Sequence, residues 1–161
     1  MRRRGSQKRM DRLIKEKRKD SYRATNTMHE PAYCTECGAT YRNGRWSWKD
    51  VDEEKYGTLC PACRRTADKY PAGYIEIKGN FFSRHSNEIS NLIRNTEERE
   101  KTERPLERIM SRHFNRDKAV LTTTGIHIAR RIGEALFRSY QGEFNFQYAD
   151  GDKSIRVYWE R

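Results

Sequence analysis

Cys34-Thr35-Glu36-Cys37-Gly38 and Cys60-Pro61-Ala62-Cys63-Arg64 hold all four cysteines of the chain. Each pair has the Cys-x-x-Cys spacing, a tight turn in which two thiolates and nearby backbone N–H groups face one ion. Two such turns complete a tetrahedral sulfur shell. The 22 residues between the pairs suit a ribbon with a hairpin inside its loop, and the expected ion is Zn2+. Two other chemistries use such pairs. A redox Cys-x-x-Cys belongs beside a βαβ unit, but here the first pair precedes a hairpin. A disulfide framework needs an oxidising compartment, and the N-terminal residues read as no apolar signal segment. Four sulfur ligands leave no open position for water, so the expected role of the metal is structural.

The residues inside the loop carry the hairpin. Asn43-Gly44 is the favoured dipeptide of a two-residue type I′ turn. That turn sets Arg42 opposite Arg45, Tyr41 opposite Trp46 and Ala39 opposite Trp48. Alternation along a strand then puts Ala39, Tyr41, Trp46 and Trp48 on one face. This face is expected to be the small core that the metal alone does not supply, with a stacking platform for bases as the other reading. Arg42 and Arg45 stand on the opposite face. Like charges directly opposed cost stability, so phosphate contact is expected there. Arg64 and Arg65 follow the second pair and put positive charge beside the knuckle. A short helix is expected over 61–69, stopping before Pro71.

Upstream, residues 1–30 carry a net charge of +7, against +4 for residues 31–161. Arg2, Arg3, Arg4, Lys8, Arg9 and Arg12 lead this basic tail, which reads as disordered when free. The whole chain carries +11, with 35% charged and 34% hydrophobic residues. Such a balance points to a polyanionic partner held with a steep salt dependence. No apolar run approaches a membrane span, so a cytoplasmic protein without a membrane partner is expected.

Downstream, residues 71–161 read as an α+β domain of order β-α-β-α-β-β, after a zinc ribbon over 31–70. Tyr74, Ile75 and Ile77 suggest a strand. A helix starts near Ser86, with Ser83 or Ser86 as cap, and buries Ile89, Leu92 and Ile93. Its second half is hydrophilic, with Glu97–Lys101 and Glu100–Arg104 four apart, and reads as a solvated face. Pro105 is expected to open a short helix with Leu106, Ile109 and Met110 inward. Ala119–Thr123 reads as a strand, and Thr124 as the cap of the next helix. In that helix Ile126, Ala129, Ile132, Gly133, Leu136, Phe137 and Tyr140 form the expected buried face. Gly133 is costly in mid-helix, so close approach to the sheet is the expected reason. His127, Arg130 and Arg131 take the outer side, where phosphate is the expected ligand. Phe144, Phe146 and Tyr148, then Ile155, Val157 and Trp159, alternate as an antiparallel hairpin.

No nucleophile elbow, P-loop or dinucleotide fingerprint occurs. His29, His85, His113 and His127 share no ligand spacing. An enzyme is therefore not expected, nor a small-molecule substrate.

Cys60-Pro61-Ala62-Cys63-Arg64-Arg65, the strand near Tyr74–Lys78 and the segment Ala119–Tyr148 together resemble part of the NMD-three family, over residues 60–161. That family comprises the adaptor that escorts the large ribosomal subunit out of the nucleus and its archaeal relatives. His127-Ile128-Ala129-Arg130-Arg131 is similar to a His-Ala-Arg-Lys helix start in it. The chain is also similar to short bacterial proteins with a zinc pair, a Tyr-Pro-Ala-Gly segment (70–73) and an Ala-Arg-Arg-Ile-Gly helix (129–133). The resemblance implies ribosomal RNA and the large ribosomal subunit as partners. The expectation is thus a non-catalytic, zinc-stabilised RNA-binding protein that docks there, in assembly, quality control or dormancy. A zinc-ribbon DNA-binding transcription regulator is the alternative. An enzyme with a cleft lined by His85 or His113 is the third reading.

Overall fold

Two sheets are built one after the other along the chain. A computed structural model describes Tyr22, residues 29–149, Gly151 and residues 153–161. The basic residues Arg2, Arg3, Arg4, Lys8, Arg9 and Arg12 lie outside the described residues.

The first sheet has the order β3-β2-β1-β4. Its strands are β1 (Ala32–Cys34), β2 (Thr40–Arg42), β3 (Arg45–Ser47) and β4 (Tyr56–Thr58). The Asn-Gly turn sets its register. Asn43 and Gly44 both have positive φ, 53° and 72°, as a type I′ turn requires. Arg42 then faces Arg45 and Tyr41 faces Trp46. The Glu30 carboxylate accepts hydrogen bonds from the N–H groups of Asn43 (2.8 Å) and Gly44 (3.1 Å). β4 returns parallel to β1, and helix α1 (Pro61–Asp68) follows.

The second sheet has the order β6-β7-β5-β9-β8. It is formed by β5 (Gly73–Lys78), β6 (Ile109–Phe114), β7 (Lys118–Thr123), β8 (Glu143–Tyr148) and β9 (Ile155–Glu160). Helices α2 (Asn80–Arg84), α3 (Ser86–Glu103) and α4 (Ile126–Tyr140) cover one face. Ile75, Ile77, Leu121, Val157 and Trp159 meet Phe82, Ile89, Ile93, Ile128, Ile132 and Leu136 there in one apolar core. Gly133 sits where a Cβ would come within 2.3 Å of Phe144 Cε2 and 2.7 Å of Val157 Cγ1. Close helix–sheet approach is thus the reason for a glycine in mid-helix. Trp159 closes the core with its indole N–H on the Gln141 carbonyl, 2.8 Å away.

The α+β class holds, but the local readings differ at four places. The segment after Pro105 is not a helix: Ile109–Phe114 is strand β6, paired antiparallel with β7. The Glu97 carboxylate accepts from Ile109 N–H at 2.8 Å, and Thr124 N–H donates to the Arg108 carbonyl at 2.8 Å. Non-local partners thus take the backbone groups that a helix would have used. Thr124 does not cap α4. Its hydroxyl is engaged by the 106–108 loop, and the Glu107 carboxylate accepts from Ile128 N–H instead, at 3.0 Å. Neither Ser83 nor Ser86 caps α3, which makes no side-chain cap bond. In α4, Ile128 is buried while Phe137 is 43% exposed, its ring 6.2 Å from that of Phe144 on the edge strand β8.

Candidate metal centre

Strand β1 ends in Cys34, and the chain turns back at once. Cys34 N–H donates to the Ala39 carbonyl at 2.7 Å and Gly38 N–H to the Cys34 carbonyl at 2.9 Å. Gly38 takes φ 78° in this turn, a conformation that a side chain would disfavour. The second pair opens α1. Cys60 is its N-cap, with Cys63 N–H donating to Cys60 Sγ at 3.3 Å and Pro61 following at the first helical turn. Proline is suited to that place because its missing N–H has no helical partner there. Cys60 N–H donates to Cys34 Sγ at 3.3 Å, which ties the two turns together.

All four Sγ atoms lie within 4.8 Å of one another, with Cys34 and Cys60 buried and Cys37 and Cys63 half-buried. Cys37 Sγ and Cys60 Sγ are 3.8 Å apart. These four residues can hold a metal ion. Their electrostatics fit that role. Burial pushes the Cys34 thiol up, but the N–H groups of Cys37, Cys60 and Glu36 outweigh it and bring its pKa down to about 6. Burial raises the Cys60 and Cys63 thiols, and like charge on neighbouring sulfurs raises Cys60 further. Ionising all four sulfurs in so small a space would need a cation between them.

Arg108 arrives from the loop before β6. One of its terminal nitrogens, Nη2, donates to Cys60 Sγ at 3.2 Å and Cys63 Sγ at 3.3 Å. Its Nε is buried without a partner among the described residues. Leu106, from the same loop, packs on the small cluster of Cys34, Ala39, Cys60 and Ala62. Trp48 Nε1 donates to the Lys101 carbonyl on α3 at 2.6 Å. The cysteine region is therefore fastened to the large sheet's side of the molecule at two points. Sequence reading missed Arg108, because nothing local distinguishes it from the other arginines.

The cations expected to bind phosphate have separate fates. Arg45 and Arg64 are exposed. Arg42 pairs with Glu53 at 3.0 Å. Arg65 is only 4% exposed; it donates to the Tyr70 carbonyl and lies over the rings of Tyr22 and Tyr70. On α4, Arg130 donates to Glu134 Oε1 (3.0 Å) and to the Tyr148 hydroxyl (3.2 Å), and stacks on Phe146. His127 meets Glu100 at 3.1 Å and Arg131 meets it at 3.6 Å. The acidic half of α3 is solvated at Glu98, Arg99, Lys101, Thr102 and Glu103, but two of its acids are half-buried and engaged. Glu100 serves α4, and Glu97 serves β6 through Arg112 and Ile109.

A cleft of about 640 Å³ separates the hairpin from the loop after α3. Tyr41 and Trp46, with rings 5.3 Å apart, stand on one wall, and Arg45 and Arg104 line it together with Glu103 and Glu107. His85 and His113 are not among its lining residues; His85 instead bonds to Glu88 and stacks on Phe81. The aromatic face of the hairpin is thus divided. Ala39 is buried as core, whereas Tyr41 and Trp46 are half-buried beside the cleft. Among the described residues, no helix is long and apolar enough to cross a membrane. No protein-family model, curated protein or solved structure matches the chain.

Proposed function

We propose that this is a non-catalytic RNA-binding protein, held in shape by Zn2+, that docks on the large ribosomal subunit. The observation that carries the reading is the cleft beside the cysteine centre, where an aromatic pair stands near Arg45 and Arg104. Unpaired bases are bound by stacking on aromatic rings, and arginine supplies the phosphate contact. The charge of +11 supports a polyanion as partner. The resemblance over residues 60–161 is what points to the large subunit.

The sulfur geometry supports zinc. A tetrahedron with Zn–S of about 2.3 Å has S···S edges of about 3.8 Å, the separation of Cys37 and Cys60. Cys34, Cys37, Cys60 and Cys63 would hold it. A fully thiolate-ligated zinc keeps residual negative charge, which Arg108 partly offsets.

The DNA-regulator reading has less support. A recognition helix needs free side chains for the base edges, while α4 commits Arg130, Arg131 and His127 to Glu134, Tyr148 and Glu100. The test is sedimentation of tagged protein with ribosomal subunits at low and high salt. Co-migration with the large subunit at low salt, lost at high salt, is expected. Absence from the subunit fractions even at low salt would end the proposal.

A further inference from the structure

The face of the large sheet turned away from the helices is covered by no other element among the described residues. Strand alternation decides what stands on it. In β9, Ile155, Val157 and Trp159 are buried, while Arg156, Tyr158 and Glu160 are exposed. In β5, Ile75 and Ile77 are buried and Tyr74 and Glu76 are half-buried on the open side. The two strands are parallel neighbours at the middle of the sheet, with Tyr74 opposite Arg156 and Glu76 opposite Tyr158. Tyr74 and Tyr158 are thus diagonal neighbours, about 8 Å apart by strand geometry. A hydrophobic residue was not required at either place, since neither fills the core. Tyr158 is 38% exposed.

The groups around the two rings are of a consistent kind. The Arg156 guanidinium lies 5.1 Å over the Tyr74 ring and pairs with no carboxylate among the described residues. Next to β9, the edge strand β8 sets Gln147 opposite Arg156 and Asn145 opposite Tyr158. Side-chain amides offer both donors and acceptors. The acids of the face stand on the Tyr158 side: Glu76 is opposite Tyr158, and Glu143 and Glu160 line a shallow pocket with Tyr158, Asn145 and Lys78. Glu76 is met by Lys118 at 3.4 Å and Lys78 at 4.0 Å, and Glu160 by Lys78 at 3.7 Å. Lys78 and Lys118 offset the charge of Glu76 and Glu160, and Arg156, which pairs with no carboxylate among the described residues, stands over Tyr74 at the other end.

We infer that this open sheet face is a second binding surface, distinct from the cysteine cleft, and that its ligand is a single-stranded nucleic-acid segment. Two successive splayed bases stack on Tyr158 and on the Tyr74–Arg156 pair, Arg156 meets a backbone phosphate, and Asn145 and Gln147 hydrogen-bond to base edges. A duplex hides its base faces, so it is a poor ligand here. A protein partner would call for a more apolar patch than two tyrosines among amides and charges. The surface stands whether or not the protein docks on a ribosome, because its test uses free oligonucleotides.

The experiment is fluorescence anisotropy of the full chain with labelled single-stranded RNA and DNA decamers of mixed sequence, and with the corresponding duplexes. Tighter binding of single strands than of duplexes is expected, and the RNA and DNA arms identify the source. Tyr158→Ala should weaken binding roughly five- to hundredfold, and Tyr158→Phe should restore it. The slope of log Kd against log salt should stay unchanged in both variants, because stacking releases no counterions. Arg156→Gln should lower that slope by about one. Loss of a phosphate contact in the cysteine cleft would alter the slope without responding to Tyr158. Photo-crosslinking keeps the test independent of any folding defect: the crosslinked peptides of the unmutated protein should contain Tyr74 or Tyr158. Equal affinity of wild type and Tyr158→Ala, or crosslinks confined to the hairpin of residues 40–47, would overturn the inference.

Discussion

The cysteine region and the large sheet solve the same problem with different means. The large sheet buries an apolar layer from five strands and three helices. The cysteine region buries Cys34, Ala39, Cys60 and Ala62, with help from half-buried neighbours. Apolar area is the main source of folding free energy at about 25 cal/mol per Å², and two alanines supply little of it. A small region of this kind needs a metal or a neighbour to persist. Here it has a sulfur cluster for one and Arg108, Leu106 and Trp48 for the other. The difference teaches where stability should respond to metal and where it should not.

The largest effect should come from removing the proposed Zn2+. Structural zinc in small cysteine sites contributes about 10 kcal/mol or more. Chelation, or Cys60→Ser, should abolish amide protection over residues 32–68 in hydrogen exchange while β5, β7 and β9 stay protected. Equal protection with and without metal would erase the contrast drawn here.

Ile132→Ala should do the reverse. It opens a cavity in the large core and should cost about 2–5 kcal/mol in urea unfolding. Metal stoichiometry should stay unchanged. Arg108 tests the joint between the two regions. Arg108→Met keeps the packing stem but removes the donor to Cys60 and Cys63. Removing a partner of metal ligands lowers metal affinity about 10- to 100-fold, which competition with a chromophoric chelator would read.

A smaller effect is expected at Glu107. Burial raises its carboxyl above the usual carboxylate range, and the Ile128 N–H only partly opposes this. The folded state therefore binds a proton more readily than the unfolded chain. The contribution of Glu107 to stability falls as pH rises from the unfolded carboxyl range through the raised folded value. Glu107→Gln should remove that slope, so the Tm difference between variant and wild type should shift in the variant's favour across that window. A pH-independent difference would refute the assignment. The smallest effect should be at Arg42. Its pair with Glu53 is exposed, and Arg42→Gln should change unfolding free energy by no more than about 0.5 kcal/mol.

What could be read from residue order was whatever is decided within a few residues. The Asn43-Gly44 turn carries its own backbone preference, so it fixed the pairing of Tyr41 with Trp46. The two Cys-x-x-Cys spacings located the sulfur cluster, and the alternation in β8 and β9 gave the hairpin. The misreadings share one cause. Ile109–Phe114 is a strand because β7 and Glu97, both distant in sequence, take its backbone groups. Glu100 seemed poised for Arg104 four residues on, yet it meets His127 and Arg131 across α3 and α4. Arg108 lies 48 and 45 positions along the chain from Cys60 and Cys63, and becomes a neighbour of their sulfurs only when the chain has folded. Long side chains choose partners in space, and local spacing does not encode that choice.

The indole positions have a practical consequence. Trp48 reaches from the hairpin to the Lys101 carbonyl, Trp46 stands beside the cleft, and Trp159 is sealed in the large core. The protein thus carries native fluorophores on both sides of the contrast. Emission from the first two should redden on metal loss while Trp159 stays blue, so the order in which the halves come apart can be followed without any label.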